Sequence, residues 1–152
     1  MKAGIILMTI ATALSAMACS NPLDASPGGT VNISVQQSLT GQTTSAGTFV
    51  LTGAFYDEGA TTEELTFGGA LTEPTVPITF KRVLTGRRGT VTITGSAVLA
   101  WTSATAGTLT GTWSIQAPNG AYQKGSGSLS GTANFGVTPP TATLKYVGVV
   151  NN

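Results

Sequence analysis

The sequence contains no histidine and only one cysteine, Cys19, among its 152 residues. Without imidazole, and with one thiol near the N terminus, the chain cannot build a Ser-His-Asp or Cys-His catalytic arrangement. It also lacks the ligands of a thiolate or imidazole zinc site. A lone cysteine rules out an intramolecular disulfide framework. We therefore expect no catalytic nucleophile, no metal and no cofactor.

Charged residues are also scarce, at 9% of the chain. After the first 18 residues the six acidic and six basic side chains cancel, and this balance argues against nucleic acid as a partner. Hydrophobic residues make up 41% of the chain, too many for a disordered tail. The chain is long enough for one domain with a sizeable core.

The N terminus has the organisation of an export signal. Met1 and Lys2 precede a run of 16 mainly apolar residues, 3–18. Ala16 and Ala18 stand at the −3 and −1 positions of a cleavage site before Cys19. The run is shorter than the roughly 20 residues that span a bilayer. The sequence therefore predicts a helical signal peptide over residues 1–18.

This leader resembles the signal of bacterial lipoproteins, in which a cysteine receives a diacylglyceryl group and becomes the mature N terminus. Ala16 replaces the leucine that is commonest at that position, and A-M-A also suits ordinary signal peptidase, so a secreted soluble protein is the alternative. The resemblance implies a lipid on Cys19, acyl chains such as palmitate, and a membrane partner through that lipid. Ser20 favours the outer membrane within the cell envelope. Residues 19–29, rich in Pro, Gly and small polar residues, are predicted to be the anchor and linker.

From residue 30 to 152 apolar and polar residues alternate, as is typical of half-buried β-strands. In the hairpin 89–115, Val91, Ile93 and Leu99 share one face while threonines occupy the other. No helical periodicity follows the leader. The sequence predicts an all-β domain of about eight antiparallel strands in a closed or nearly closed up-and-down barrel, because closure removes exposed edges. A β-sandwich is the alternative. The predicted strands are 30–38, 47–57, 63–71, 77–84, 89–101, 108–116, 125–135 and 141–150.

The run from Gly111 to Gly131, GTWSI and then PNGAYQKGSGSLSG, resembles a pattern in small uncharacterised secreted bacterial proteins. These proteins are similar to the allene oxide cyclase and dirigent barrels, a calycin-like form. The chain departs from the pattern by Asn119 before Gly120 and by a short spacer before Gly125. The resemblance implies an eight-stranded barrel with an apolar cavity, and it carries over no catalytic residue.

Polar candidates are few, and we expect them at the surface. Four carboxylates at residues 57, 58, 63 and 64 could bind Ca²⁺ or act as a hydrolase pair, but they lack the Asp-x-Asp-x-Asp spacing, so a solvated loop is expected. Arg87 and Arg88 could catch an anion, yet their flanking glycines indicate a solubilising turn. All acidic residues precede all basic ones after the leader. That order reflects either chance or attraction across the seam where the barrel closes.

The predicted interior is apolar. If it leaves space for a ligand, six large side chains are expected to line that space. These are Phe49, Phe55, Phe80, Leu99, Trp101 and Tyr146. Inward glycines such as Gly95 and Gly148 indicate either a sharp bend of the strand or free space at the axis.

Three functions remain open at this point. The preferred one is a surface-anchored module that binds a small apolar ligand in its barrel or an envelope partner at its rim. The alternatives are a cyclase- or isomerase-like enzyme that acts by shape and hydrogen bonds, and a purely structural envelope protein. A carboxylate or tyrosine pointing into the barrel would favour the enzyme. No oligomeric state is predicted.

Overall fold

The computed structural model describes residues 28–117 and 124–151, which form eight antiparallel strands. The strands are β1 Gly29–Leu39, β2 Thr44–Gly53, β3 Asp57–Phe67, β4 Thr75–Gly86, β5 Gly89–Trp101, β6 Ala106–Ala117, β7 Lys124–Asn134 and β8 Thr141–Asn151. Each strand pairs with the next, and β8 pairs with β1, so the sheet closes. The predicted eight-stranded barrel is confirmed and the sandwich is excluded. The signal peptide, Cys19, the linker up to residue 27 and the Pro118-Asn119-Gly120 turn lie outside the described residues.

The up-and-down order puts alternate connections at opposite ends of the barrel. We call one end the mouth end, formed by connections 40–43, 68–74, 102–105 and 135–140. The other is the base end, formed by connections 54–56 and 87–88, together with Gly28 and Asn151. The described chain therefore starts at the end opposite the mouth.

Alternation along each strand separates the interior from the surface. On β5 the side chains of Val91, Ile93 and Leu99 are each 1% exposed, while their outward neighbours are mainly Ser and Thr. The same division holds on the other strands, whose inward rows form one hydrophobic core. The outward rows are thus mainly polar and the inward rows mainly apolar.

Strands β2 and β3 differ most from the prediction, and β3 ends at Phe67, four residues before the predicted end at Leu71. The segment 47–57 does not form one strand, because β2 ends at Gly53 and β3 begins at Asp57. Gly53 has a φ of +113°, a conformation that side chains rarely adopt, and it allows the chain to turn within residues 54–56. The small residues 59–62, expected in a loop, belong to β3, where Gly59 lets the β4 backbone approach closely.

Large rings lie against glycines across neighbouring strands. Phe80 faces Gly95, and Gly95 in turn faces Trp113, which faces Gly127. A Cβ atom added at Gly95 would lie 2.5 Å from the Phe80 ring, and one at Gly148 would lie 2.7 Å from the Trp113 ring. The interpretation of these inward glycines as free space at the axis is therefore wrong. They allow close packing of aromatic rings on the sheet.

Candidate functional site

A cavity of about 60 Å³ lies inside the barrel at the mouth end. Its walls are almost entirely apolar, and three polar side chains, Gln37, Glu63 and Thr141, complete the lining. The apolar walls include Leu39, Leu65, Phe67, Ile78, Phe80, Leu99, Leu109, Phe135 and Leu144. We call this cavity the mouth pocket. It is the part of the described barrel best suited to receive an apolar group.

The mouth pocket exists because small side chains point inward at this end. Ala97, Ala133 and Ala142, from three different strands, line it. Toward the base end larger residues such as Ile33 and Trp113 fill the interior, and the free volume among them falls to about 10 Å³. The barrel interior is thus filled in its lower half and partly open in its upper half.

Two of the six predicted ligand-binding residues, Phe80 and Leu99, line the mouth pocket. Both lie where β4 and β5 approach the mouth end. Their inward direction followed from the alternation along each strand. Their position along the barrel axis depends on strand pairing, which the alternation does not determine.

The other four predicted residues lie outside the lining of the mouth pocket. Phe49 and Tyr146 are buried in the core, with exposed fractions of 2% and 0%. Phe55 lies in the β2–β3 connection at the base end. Trp101 is partly buried and packs on Phe135, with 4.9 Å between ring centroids.

A buried arginine lies behind the mouth pocket. Arg82 points inward from β4 and is 0% exposed. Its Nη2 lies 2.6 Å from Oε1 of Glu63, which stands opposite on β3. Its Nε donates to the Tyr146 hydroxyl at 2.9 Å, and its Nη1 donates to Oγ1 of Thr61 at 3.0 Å. A buried charge of this kind persists only when it is paired and hydrogen-bonded, and here it is both.

Glu63 is held by further donors. Its Oε2 accepts hydrogen bonds from Nε2 of Gln37 at 2.8 Å and from Oγ of Ser45 at 3.0 Å. The side-chain amide oxygen of Gln37, Oε1, accepts a hydrogen bond from Nη2 of Arg82 at 2.5 Å. We call these linked residues, Gln37, Ser45, Thr61, Glu63, Arg82 and Tyr146, the Arg82 network. Through Gln37 and Glu63 it forms the floor of the mouth pocket.

Tyr146 stays protonated in this setting. Burial raises the pKa of Tyr146 to about 12, and the negative charge of Glu63 acts in the same direction. The Arg82 guanidinium, 5.6 Å from the ring centroid, opposes part of this shift. At neutral pH the phenol therefore acts as a neutral hydrogen-bonding group that accepts from Arg82.

The expectation of a solvated acidic loop is wrong. All four carboxylates lie on β3, and Asp57 and Glu63 are only 1% and 4% exposed. Asp57 accepts a hydrogen bond from the backbone N–H of Arg87 at 2.8 Å and so stabilises the β4–β5 turn. Arg87 and Arg88 form that turn as predicted, and Arg87 pairs with Glu58 at the surface.

The Arg82 network contains polar residues that the sequence analysis did not identify. A signal was present, because Arg82 stands two residues after Phe80 and two before Leu84, on the inward row of β4. Glu63 likewise precedes the inward Leu65 by two residues. The interior therefore holds a carboxylate beside the predicted inward Tyr146, contrary to the expectation of an almost wholly apolar row.

Attraction across the closing seam is also excluded. The seam joins β1 and β8, and β1 contains no charged residue. The ion pairs Glu63–Arg82 and Glu58–Arg87 join the acidic β3 instead to β4 and the turn that follows it.

Residues 28–117 and 124–151 contain no group of three or more His, Cys, Asp or Glu side chains that could hold a metal ion. Among the same residues no helix is long and apolar enough to cross a membrane.

No protein-family model matches the chain, and no significant match exists among curated proteins or solved structures.

Proposed function

We propose that the protein is a lipid-anchored binding module of the bacterial cell envelope, attached through Cys19. In this proposal the mouth pocket receives an apolar group of a small ligand or of an envelope partner. The observation that carries the proposal is the apolar cavity at one end of an otherwise filled barrel. Convergent apolar walls with a few polar groups are the usual character of a binding site.

The size of the pocket limits what can enter. Its volume of about 60 Å³ is well below the roughly 300 Å³ of a typical small-ligand site. It is also below the roughly 150 Å³ of an engineered cavity that holds benzene. We therefore expect the pocket to enclose one end of a molecule, an uncharged polar group at the floor with the methylenes next to it, while the rest remains at the mouth. Because each buried methylene contributes about 0.8 kcal/mol, binding through this end alone should be weak.

The position of the mouth fits this role. Gly28, at the base end, follows Cys19 by nine residues (28 − 19), which reach at most about 30 Å. A tilted strand of 11 residues makes the barrel about 28 Å tall. The linker joins the barrel at the base end, opposite the mouth pocket, and its reach about equals the height of the barrel. It therefore permits, without fixing, an orientation in which the mouth pocket faces the aqueous side.

The anchor is tested by labelling with palmitate. The full chain should incorporate label and partition into detergent, because two or three acyl chains give stable attachment. The variant Cys19→Ser should lose both label and membrane attachment. A soluble protein with an unmodified Cys19, established by mass spectrometry, would contradict the anchoring.

The pocket is tested with an apolar fluorescent probe and a substitution that fills the cavity. Ala133 is 8% exposed and lines the pocket, so Ala133→Leu should abolish probe binding. Ala60, exposed on the outer face of β3, provides the matched control, and Ala60→Leu should leave binding unchanged. Equal probe binding by Ala133→Leu and the unaltered protein would place the probe elsewhere and contradict a role for the mouth pocket.

One observation favours the enzyme alternative, namely that the Glu63 carboxylate lines the pocket. A general base must reach the proton that it removes. Both oxygens of Glu63 are already engaged by Arg82, Gln37 and Ser45, and the cavity is smaller than a typical substrate site. Binding is therefore the better supported role.

A further inference from the structure

We propose that the mouth pocket selects neutral over anionic ligands and that Glu63 determines this selectivity. The inference rests on the proposed function and adds the class of ligand to it. Barrels with a buried arginine invite the opposite expectation, a site for carboxylates, because guanidinium binds carboxylate in a bidentate manner. The arrangement of the Arg82 network excludes that role.

The positive charge of Arg82 is out of reach of a ligand. The side chain is 0% exposed and does not line the pocket, although its neighbour Phe80 does. Its three nitrogens donate to Tyr146, to Thr61, and to both Gln37 and Glu63. A carboxylate entering from the mouth would find these donors already engaged.

Glu63 occupies the place that a ligand carboxylate would take. It stands between Arg82 and the cavity, with Oε1 2.6 Å from Nη2 and its side chain in the pocket lining. An anionic head group that reached the floor would lose its water and would meet a carboxylate, with no cation available to it. A neutral group incurs no such penalty, and a primary amide can also donate a hydrogen bond to the Glu63 carboxylate.

The selectivity is measured with a pair of ligands that differ in charge and hardly at all in shape. Hexanamide and hexanoate are titrated into the full chain at pH 7, and binding is followed by NMR shifts of alanine and leucine methyl groups in the mouth pocket. We expect hexanamide to bind at least tenfold more tightly. Equal or tighter binding of hexanoate would overturn the selectivity while leaving the proposed function intact. If neither ligand shifted these methyl groups, the proposed function would fail and the selectivity with it.

The role of Glu63 is tested by Glu63→Gln, which keeps the shape of the side chain and removes its charge. The floor then carries the unbalanced charge of Arg82, so the preference for hexanamide should fall below twofold or reverse. Glu64→Gln is the matched control, because Glu64 is the next residue, faces outward and is exposed. An unchanged tenfold preference in Glu63→Gln would overturn the assignment to Glu63.

A second variant keeps the test decisive if Glu63→Gln fails to fold. Glu63→Ala leaves space beside Arg82 for a small carboxylate, so acetate should raise the melting temperature of this variant, or restore its folding. Acetamide, of the same shape, should not. Equal effects of acetate and acetamide, or an equal effect of acetate on the unaltered protein, would contradict the idea that Glu63 fills an anion site.

Discussion

Removing one partner of the buried Glu63–Arg82 pair should destabilise the barrel more than removing both. Arg82→Met leaves the Glu63 carboxylate, 4% exposed, without its cation. Such a loss typically costs about 3–5 kcal/mol of unfolding free energy. The donors to Tyr146 and Thr61 disappear as well, at about 1 kcal/mol each. We expect a total of about 5–7 kcal/mol for this variant.

Glu63→Leu leaves the guanidinium unbalanced and should cost about 3–5 kcal/mol. In the double variant Arg82→Met/Glu63→Leu no charge remains buried in the network. The double variant should still lose about 2–4 kcal/mol of unfolding free energy, because the hydroxyl and amide groups that bonded Arg82 and Glu63 no longer have these partners. The coupling between the two sites should therefore exceed about 3 kcal/mol.

The assay is urea unfolding at 25 °C followed by tryptophan fluorescence, with Trp101 and Trp113 as reporters inside the fold. A domain of this size is stable by about 6–15 kcal/mol, so the single variants should be marginal and the double variant clearly folded. Arg87→Met, in the exposed pair with Glu58, is the control and should cost less than about 1 kcal/mol. A double variant whose loss equals the sum of the two single losses within about 0.5 kcal/mol would refute the reasoning.

Three further predictions concern the core, the sheet and the response to pH. Trp113→Ala should lower the unfolding free energy by about 3–5 kcal/mol, because Trp113 is 3% exposed. Thr112 points outward, so Thr112→Ala should change the urea midpoint little. Equal midpoints for the two variants would contradict the strand register. Gly95→Ala should lower the unfolding free energy by about 1–3 kcal/mol, because the added Cβ would lie close to the Thr112 carbonyl oxygen and the Phe80 ring. Ser96→Ala, at the neighbouring exposed position, should be nearly neutral in the same assay. Burial raises the pKa of Tyr146 from 10.0 to about 12, so folding favours the protonated phenol. The contribution of Tyr146 to stability is therefore complete below pH 10 and is lost, by about 2–3 kcal/mol, as the pH rises from 10 to 12. The urea midpoints of Tyr146→Phe should lack this step, and an identical pH dependence in both proteins would contradict the prediction.

The fold could be predicted from the sequence because alternation and turn residues are strong signals in this chain. On β5 and β6 every second residue is apolar or glycine, and the inward direction of Ile93, Leu99 and Trp113 followed directly. Short connections between successive segments indicated hairpins, and eight such strands close without edges. The least accurate predicted boundary is the start of β3. The small and polar residues around Gly59 indicated a loop, although they form part of the strand.

The site was less predictable, because alternation gives the direction of a side chain and not its height along the barrel axis. Phe80 and Tyr146 both point inward, yet one lines the mouth pocket and the other does not. The pocket itself depends on small residues that meet only through strand pairing. Ala133 stands opposite Ala142, and Ala142 stands opposite Gln37. No single segment of sequence contains that arrangement.

The Arg82 network also bears on how the barrel keeps one register. A slip of one residue between β3 and β4 would turn the inward apolar row of the displaced strand outward, so alternation alone prevents it. A slip of two residues preserves the alternation and would otherwise cost little. It would, however, move Glu63 from opposite Arg82 to opposite Phe80 or Leu84, and leave two charges buried without partners. The ion pair therefore distinguishes the native register from the nearest alternatives that hydrophobic burial tolerates. The same register brings Glu63 to the floor of the mouth pocket.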